Sequence, residues 1–489
     1  MRSASAATTP ASRSEHIRAV DADPVTRTDK ALRAAFCEAE QGHVFRFFDE
    51  LPSDEQGTLL AQLRAIELKR VRRLIEQHLA ADDAVRTPAL APAPIIAPPA
   101  TEAERREEAK SRKAGEEALR EGRVAVLIVA GGQATRLGYD APKGTYPIGP
   151  VSGKTLFQIH AEKVLALARR HGKQCPLLLL VSPDNHEATR RYFEEHAFFG
   201  LDSKLVRFFE QGMLPALDRD GRLLLAERGR IFLSPDGHGG VFRALHASGI
   251  LDFLSKRGVD TVFYFQVDNP LVKVADPVFL GHHLRRESEF SLKVVAKRDA
   301  AEKVGVYALV DGKPGIVEYS DLPAAQRDSK GPDGRLHFGA GSVAIHAFSL
   351  PFLRRLGRGD VELTLHVARK KIPYVDERGE VVHPGEPNGI KFESFVFDGL
   401  TLAKSVLAME VARNEEFAPV KNKTGEDSAE TAIQAQSDLF RAWLADAGMK
   451  VDDPAARVEI GPLFALDRAE LASRFRGAGH LQARRILLD

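Results

Sequence analysis

The sequence predicts an α/β fold, a mainly parallel but mixed sheet preceded by a helical N-terminal arm and followed by a small C-terminal lobe. Three observations predict it. Strand-length apolar runs (124–129, 177–181, 262–267 and 292–296) alternate with helical stretches such as 156–170, the pattern of parallel strands joined by helical crossovers. A proline-rich stretch, TPALAPAPIIAPPA, interrupts the helical pattern before the first of these strands. After about Arg413 the character changes again, with the polar loop KNKTGEDSAETAIQAQSDLF entering a helix.

The arm comes first. Between 36 and 79, Phe45, Phe48, Leu59, Leu63, Ile66, Val71, Leu74 and Ile75 recur at helical steps, and Ser53 with Gln56 supplies a capping-box start. Pro88, Pro92, Pro94, Pro98 and Pro99 cannot continue a helix and favour an extended segment that wraps or links. The expected boundaries are therefore 1–100 for the arm and linker, 101–412 for the α/β core and 413–489 for the lobe. A charged helix, TEAERREEAKSRKAGEEALREG, runs directly into the strand RVAVLIVAGG, which breaks at a glycine pair. No repeat of solenoid period is present.

Charge narrows the partners. Against 69 basic residues stand 68 acidic ones, a net charge of +1, so nothing in the overall balance favours nucleic acid or a membrane surface. Any anion site must be local. The two cysteines, Cys37 and Cys175, argue against a disulfide framework, and the first residues, MRSASAATTPASRSE, lack an apolar leader core. A reducing, cytoplasmic compartment is expected, with the oligomeric state left open.

The segment LIVAGGQATRLGYDAPKG, 127–144, carries the strongest chemical signal. A buried strand ends at Ala130; Gly131 and Gly132 then allow close backbone approach, so that successive N–H groups can face an anion, with Arg136 and Lys143 supplying charge. It matches neither the Walker A spacing nor the dinucleotide GxGxxG fingerprint. In EQGMLPAL, Gln211 offers an amide able to donate and accept, and Gly212 leaves room for a base. GHGGVFRAL places His238, Gly239 and Gly240 at the start of a helix, where N–H groups and the positive dipole end are available. Asp268 ends the run TVFYFQV, putting a carboxylate at the carboxyl end of a strand, where open α/β sheets bind ligands. The adjacent His282 and His283 point about 100° apart on a helix and suit a structural or surface role better than a metal site.

Taken together, GGQATRLGYDAPKG, SGKTLFQIHAEKV, EQGMLPAL, SPDGHGGVFRAL, QVDNPLVKVADPVFLG, IVEYSDL, EPNGIKFESFVFD and FAPVKN, in that order over roughly residues 40 to 425, resemble the eukaryotic-type UDP-N-acetylglucosamine pyrophosphorylases and the related UDP-sugar pyrophosphorylases. The resemblance implies a nucleotidyltransferase with a Rossmann-like core, UTP and a sugar 1-phosphate as substrates, and Mg²⁺ as cofactor. It implies that Gln211 contacts uracil, that Ala130, Gly131, Gly132, Gly212, Gly239 and Gly240 line the nucleotide, and that Asp268 holds Mg²⁺. Arg136, Lys143 and Lys421 become the catalytic cations. His238, Asn269, Glu318, Gly341, Ser342 and Asn388 become the sugar-side groups.

Three positions depart from the family's pattern. Ala134 stands where glycine is usual, which the loop tolerates if φ there is negative. His238 and Ser342 each stand where the N-acetylglucosamine enzymes carry Asn. N-acetylglucosamine 1-phosphate is the sugar first implied. The alternatives are UDP-glucose or broad UDP-sugar synthesis and, in a different class, a non-catalytic UDP-sugar-binding protein.

Overall fold

The structure, a computed structural model, describes residues 29–78, 88–359, 361, 363–475 and 478–489. The parts of the expected arm and linker at 1–28 and 79–87 lie outside the described residues. A ten-stranded mixed sheet forms the centre. Its strands are β1 (Leu90–Pro92), β2 (Val124–Val129), β3 (Leu177–Val181), β4 (Val206–Glu210), β5 (Thr261–Gln266), β6 (Phe290–Ala296), β7 (Val306–Val310), β8 (Lys313–Val317), β9 (Ala340–Ser349) and β10 (Val406–Glu410). β4, β3, β2 and β5 lie side by side and run parallel. β9 then pairs antiparallel with β5 on one side and β6 on the other, and β6 is parallel to β10.

β2 and β3 are buried almost throughout, as their unbroken Val/Leu/Ile content requires of strands covered on both faces. The covering helices include α4 (Glu102–Glu121), α5 (Leu156–His171), α7 (Val241–Ala247) and α9 (Pro277–Arg285), where α1 (Asp29–Glu38), α2 (Ser53–Ala65) and α3 (Leu68–His78) form the arm, α6 is His186–Glu195 and α8 is Ile250–Ser255. α4 begins with a capping box, Thr101 with Glu104, and ends at Gly122, φ 76°. His282 and His283 on α9 are buried, bonded to Ser111 and Ser291 hydroxyls, which confirms their structural role.

The arm does not stand apart. Leu32, Phe36, Val44, Phe45, Leu59 and Leu63 share a core with Leu214, Leu223, Ile231 and Phe392 of the α/β body. Gln41 fixes the contact, its Nε2 donating to the Gly221 carbonyl (3.0 Å) and its Oε1 accepting from Leu223 N–H (2.8 Å). The capping box expected at Ser53 is not made: α2 starts at Ser53, but Gln56 Nε2 turns back to the carbonyls of Phe48 and Leu51. These carbonyls need a donor more than the exposed helix start needs a cap. As expected, the proline-rich segment is extended. β1 pairs with β7, and Ile96 bridges Met409 of β10.

The C-terminal lobe packs the helix Ala429–Asp446 on two parallel strand pairs, Met449–Val451 with Gly479–Leu481 and Arg457–Ile460 with Arg485–Leu488. Leu271, from the loop after β5, enters the lobe's own core beside Leu444, Val458 and Leu471. Glu459 of the lobe accepts the N–H groups of Val151 and Ser152 (2.6 and 2.7 Å).

Candidate functional site

Because β2, β3, β4 and β5 are parallel and nearly in register, with Val129 opposite Gln266 and Leu180 and Val181 opposite Glu210, their carboxyl ends share one edge of the sheet. The glycine pair after β2, Gln211 and Gly212 after β4, and Asp268 after β5 therefore meet there. Ala130 is held in place by its N–H, which donates to the Leu180 carbonyl, and by Asn185 Nδ2, which donates to the Ala130 carbonyl. Gly131 has no room for a side chain: a Cβ would fall 2.8 Å from Gln211 Oε1. Gly132 faces open space.

The loop then folds back on itself. Lys143 N–H donates to the Gly132 carbonyl (3.2 Å), and Gln133 bridges Pro142. Ala134 is buried with φ −90°, so the methyl is accommodated without strain. Arg136 is exposed on the 3₁₀ turn Thr135–Leu137 and has no ion-pair partner among the described residues. Lys143 Nζ lies 2.7 Å from Asp268 Oδ2, with both groups mostly buried. That pair, on two loops far apart in sequence, is the centre of the site.

The loop after β5 is secured by a second lysine. Lys163 on α5 donates to the carbonyls of Pro270 (2.5 Å) and Val272 (2.9 Å), and burial pushes its pKa down to about 7. Asn269, expected against the sugar, is buried and bonded to backbone groups. It donates to the Glu416 carbonyl (2.7 Å) and accepts from Leu271 N–H and Ala418 N–H. Asn388 also turns its amide to the backbone, accepting from the Ile372 N–H (2.7 Å) and donating to the Ile372 carbonyl (3.0 Å). Both asparagines frame loops because unpaired backbone groups there would cost more than a free amide offers.

Asn269 ties the loop after β5 to 416–418, and Val420 N–H donates to the Asp268 carbonyl (2.9 Å), which sets Lys421 one residue from the carboxylate loop. Lys421 is half-exposed, 3.5 Å from Asp427 and 5.7 Å from the Phe417 ring centroid. Nearby, Lys423 Nζ approaches Gly138 of the glycine loop, a contact the sequence did not suggest.

On the sugar side, His238 Nδ1 accepts the Val396 N–H (3.0 Å), so a neutral ring carries its proton on Nε2. Burial pushes its pKa down to about 4. Its ring stacks on Phe395, which also packs against Phe397 and against His366, itself 3.0 Å from Asp398. The hydrogen bond to Asp398 raises the His366 pKa, and burial, then Asp321, raises that of Glu318, which is half-buried beside this cluster. Gly341 and Ser342 open β9, where Ser342 N–H donates to the Gly305 carbonyl (2.8 Å). Directly after them the β6–β9 register shifts, and Ala344 takes φ 54°. Such bulges re-aim side chains beside binding sites.

Gly239 and Gly240 close the 3₁₀ turn His238–Gly240. The helix behind them, α7, has only seven residues, so its dipole contributes less than the sequence suggested, and backbone N–H groups are what remain. Missed altogether were Asp236, Lys163 and the ring pair Phe395 and Phe397; an acid immediately before GHGG was the one available signal. Among the described residues no cluster of three or more His, Cys, Asp or Glu could hold a metal ion unaided, and no helix is long and apolar enough to cross a membrane.

Comparison with known proteins finds relatives over most of the chain. The chain is 40% identical over 432 residues to the UDP-N-acetylhexosamine pyrophosphorylase-like protein 1 of Xenopus tropicalis, covering 84% of each. It is 36% identical over 460 residues to the UDP-N-acetylglucosamine pyrophosphorylase of Saccharomyces cerevisiae, covering 90% of this chain and 96% of that one. Among solved structures it is similar to the uridine diphosphate N-acetylglucosamine pyrophosphorylase of Trypanosoma brucei in complex with an inhibitor, with TM-score 0.79, 27% identity and coverage of 94% and 98%. The model of the UTP--glucose-1-phosphate uridylyltransferase family matches residues 72–473, and the chain belongs to that family.

Proposed function

We propose that this protein transfers the uridylyl group of UTP to N-acetylglucosamine 1-phosphate, releasing pyrophosphate. The observation that carries the reading is the convergence of the Gly131–Gly132 turn, Gln211 and the Lys143–Asp268 pair at one edge of the parallel strands. The names of the relatives point to the N-acetylated sugar.

The sugar phosphate is already an anion, so its attack on the α-phosphorus needs no general base. Catalysis reduces to holding two polyanions in line and neutralising charge as the P–O bond to pyrophosphate breaks. Arg136, exposed and without an ion-pair partner among the described residues, meets the incoming triphosphate. Lys143 leaves Asp268 for the α-phosphate, and Lys421 swings from Asp427 to the sugar phosphate. Asp268 is a fitting ligand for Mg²⁺, which typically takes one or two carboxylates and completes its shell with water and substrate phosphate oxygens. When bound, the ion would supply charge neutralisation at the phosphates. Gln211 reads the uracil edge; His238 Nε2–H, Glu318 and the Ser342 hydroxyl face the sugar.

The test is pyrophosphate release with Mg²⁺ and UTP, comparing N-acetylglucosamine, N-acetylgalactosamine, glucose and galactose 1-phosphates. Selective turnover of an N-acetylated sugar is expected. Preference for glucose or galactose 1-phosphate would move the protein to UDP-glucose or broad UDP-sugar synthesis, and no release with any of them would leave a UDP-sugar-binding protein.

A further inference from the structure

Between the uracil-side loop and the His238–Gly240 turn lies an acid that the mechanism above does not use. Asp236 is buried, and its Oδ1 has no hydrogen-bond partner among the described residues. Both flanking glycines are shaped to it: a Cβ on Gly240 would fall 2.0 Å from Oδ1, and one on Gly212 would fall 2.3 Å from Oδ2. Its backbone joins the same elements. The N–H donates to the Gly212 carbonyl (3.0 Å), and the carbonyl accepts from Ser394 N–H (2.8 Å) and Ser394 Oγ (2.9 Å).

Across a cavity of about 30 Å³, room for a single water, the carboxyl shares its surroundings with Arg243 of α7 and with Arg70 of α3, in the N-terminal arm. Burial pushes its pKa up to about 6, opposed first by Arg70 and then by Arg243. An isosteric amide would fill the same space without the cost of a buried charge. The charge therefore calls for a reason other than packing.

We infer that Asp236 is a positioning residue for UTP, whose carboxylate joins Arg70 of the arm and Arg243 of α7 to the point where the Gln211–Gly212 loop meets the His238–Gly240 turn. The inference rests on the UTP reading above. It makes the arm part of the nucleotide site, acting through the charge of Arg70 on one carboxylate.

The experiment is steady-state kinetics of the full chain, wild type against Asp236→Asn, Arg70→Met and the double variant. Asp236→Asn should raise KM for UTP about tenfold while changing kcat less than about threefold and leaving KM for the sugar phosphate unmoved. Because the folded-state pKa is raised, the carboxyl stabilises the fold only at low pH, and that contribution is lost as pH rises through about 6. The amide variant should then melt no lower than wild type at pH 8. Arg70→Met should raise KM for UTP similarly, and the double variant should be no worse than either single. The ratio of variant to wild-type KM should fall toward unity below about pH 6, where wild type also carries a neutral acid. UTP's own terminal phosphate titrates near pH 6 too, but cancels in that ratio.

An unchanged KM for UTP in Asp236→Asn, or additive effects in the double variant, would overturn the inference while leaving the enzyme reading intact. Absence of pyrophosphate release by the wild type would overturn both.

Discussion

The proposed phosphate end and the proposed sugar end of the site are built differently. At the phosphate end the Lys143–Asp268 pair is braced from behind, the loop after Asp268 by Lys163 and by Asn269, which ties it to 416–418, while Arg136 stands exposed. At the sugar end the wall is a stack of rings, His366, Phe395 and His238, leaning on a bulged strand with Ala344 at positive φ. Uridylyl transfer demands fixed charge at fixed places, whereas a sugar pocket can change its lining without altering the reaction. The two departures at the sugar end, His238 and Ser342, fall on the adaptable side, and the phosphate cations show none.

That contrast can be broken in four ways. The largest effect belongs to the cations: Lys143→Ala and Lys421→Ala should each lower kcat at least about 100-fold, the scale of removing one charge-stabilising donor. Near-wild-type turnover in both would end the role assignment. Next comes the scaffold beneath them. Asn269→Ala strips three hydrogen bonds from a buried loop and should cost roughly 1–3 kcal/mol in urea unfolding; no loss of stability would mean the loop is not secured as described.

At the sugar end His238→Asn should leave uridylyl transfer running but shift the ratio of kcat/KM between N-acetylglucosamine and glucose 1-phosphates by about tenfold. An unchanged ratio would remove His238 from the pocket. The smallest effect concerns Lys163. Its folded pKa is pushed down to about 7, so between pH 7 and its unfolded value near 10.4 the unfolded chain binds more protons. Stability from this group therefore rises with pH across that window, and Lys163→Met should flatten the slope relative to wild type.

The parallel strands, the extended proline segment and the edge where the glycine loop meets Asp268 were legible in the sequence because each depends on local pattern: apolar runs, ring-locked φ and a residue at a strand's end. The backbone partners of Asn269 and Asn388 were not legible, because an amide looks the same whether it faces a sugar or a backbone group brought in from elsewhere, here Glu416, Ala418 and Ile372. Asp236 stayed hidden for a related reason. Gly212 and Gly240 are 28 positions apart, and only folding shows that both are small on account of one carboxylate.

The proline-rich segment carries a consequence for how the molecule is made. Leu90 pairs with Val310, and Ile96 bridges Met409, so a stretch synthesised early can take its place only after strands translated much later have formed. Contacts of such long sequence separation close slowly. Until then the outer border of β10 is bare, and bare strand borders are where nascent chains stick to one another. Prolines suit a strap with that duty, for they keep it extended while it waits and, lacking N–H groups, give a stray strand little to pair with.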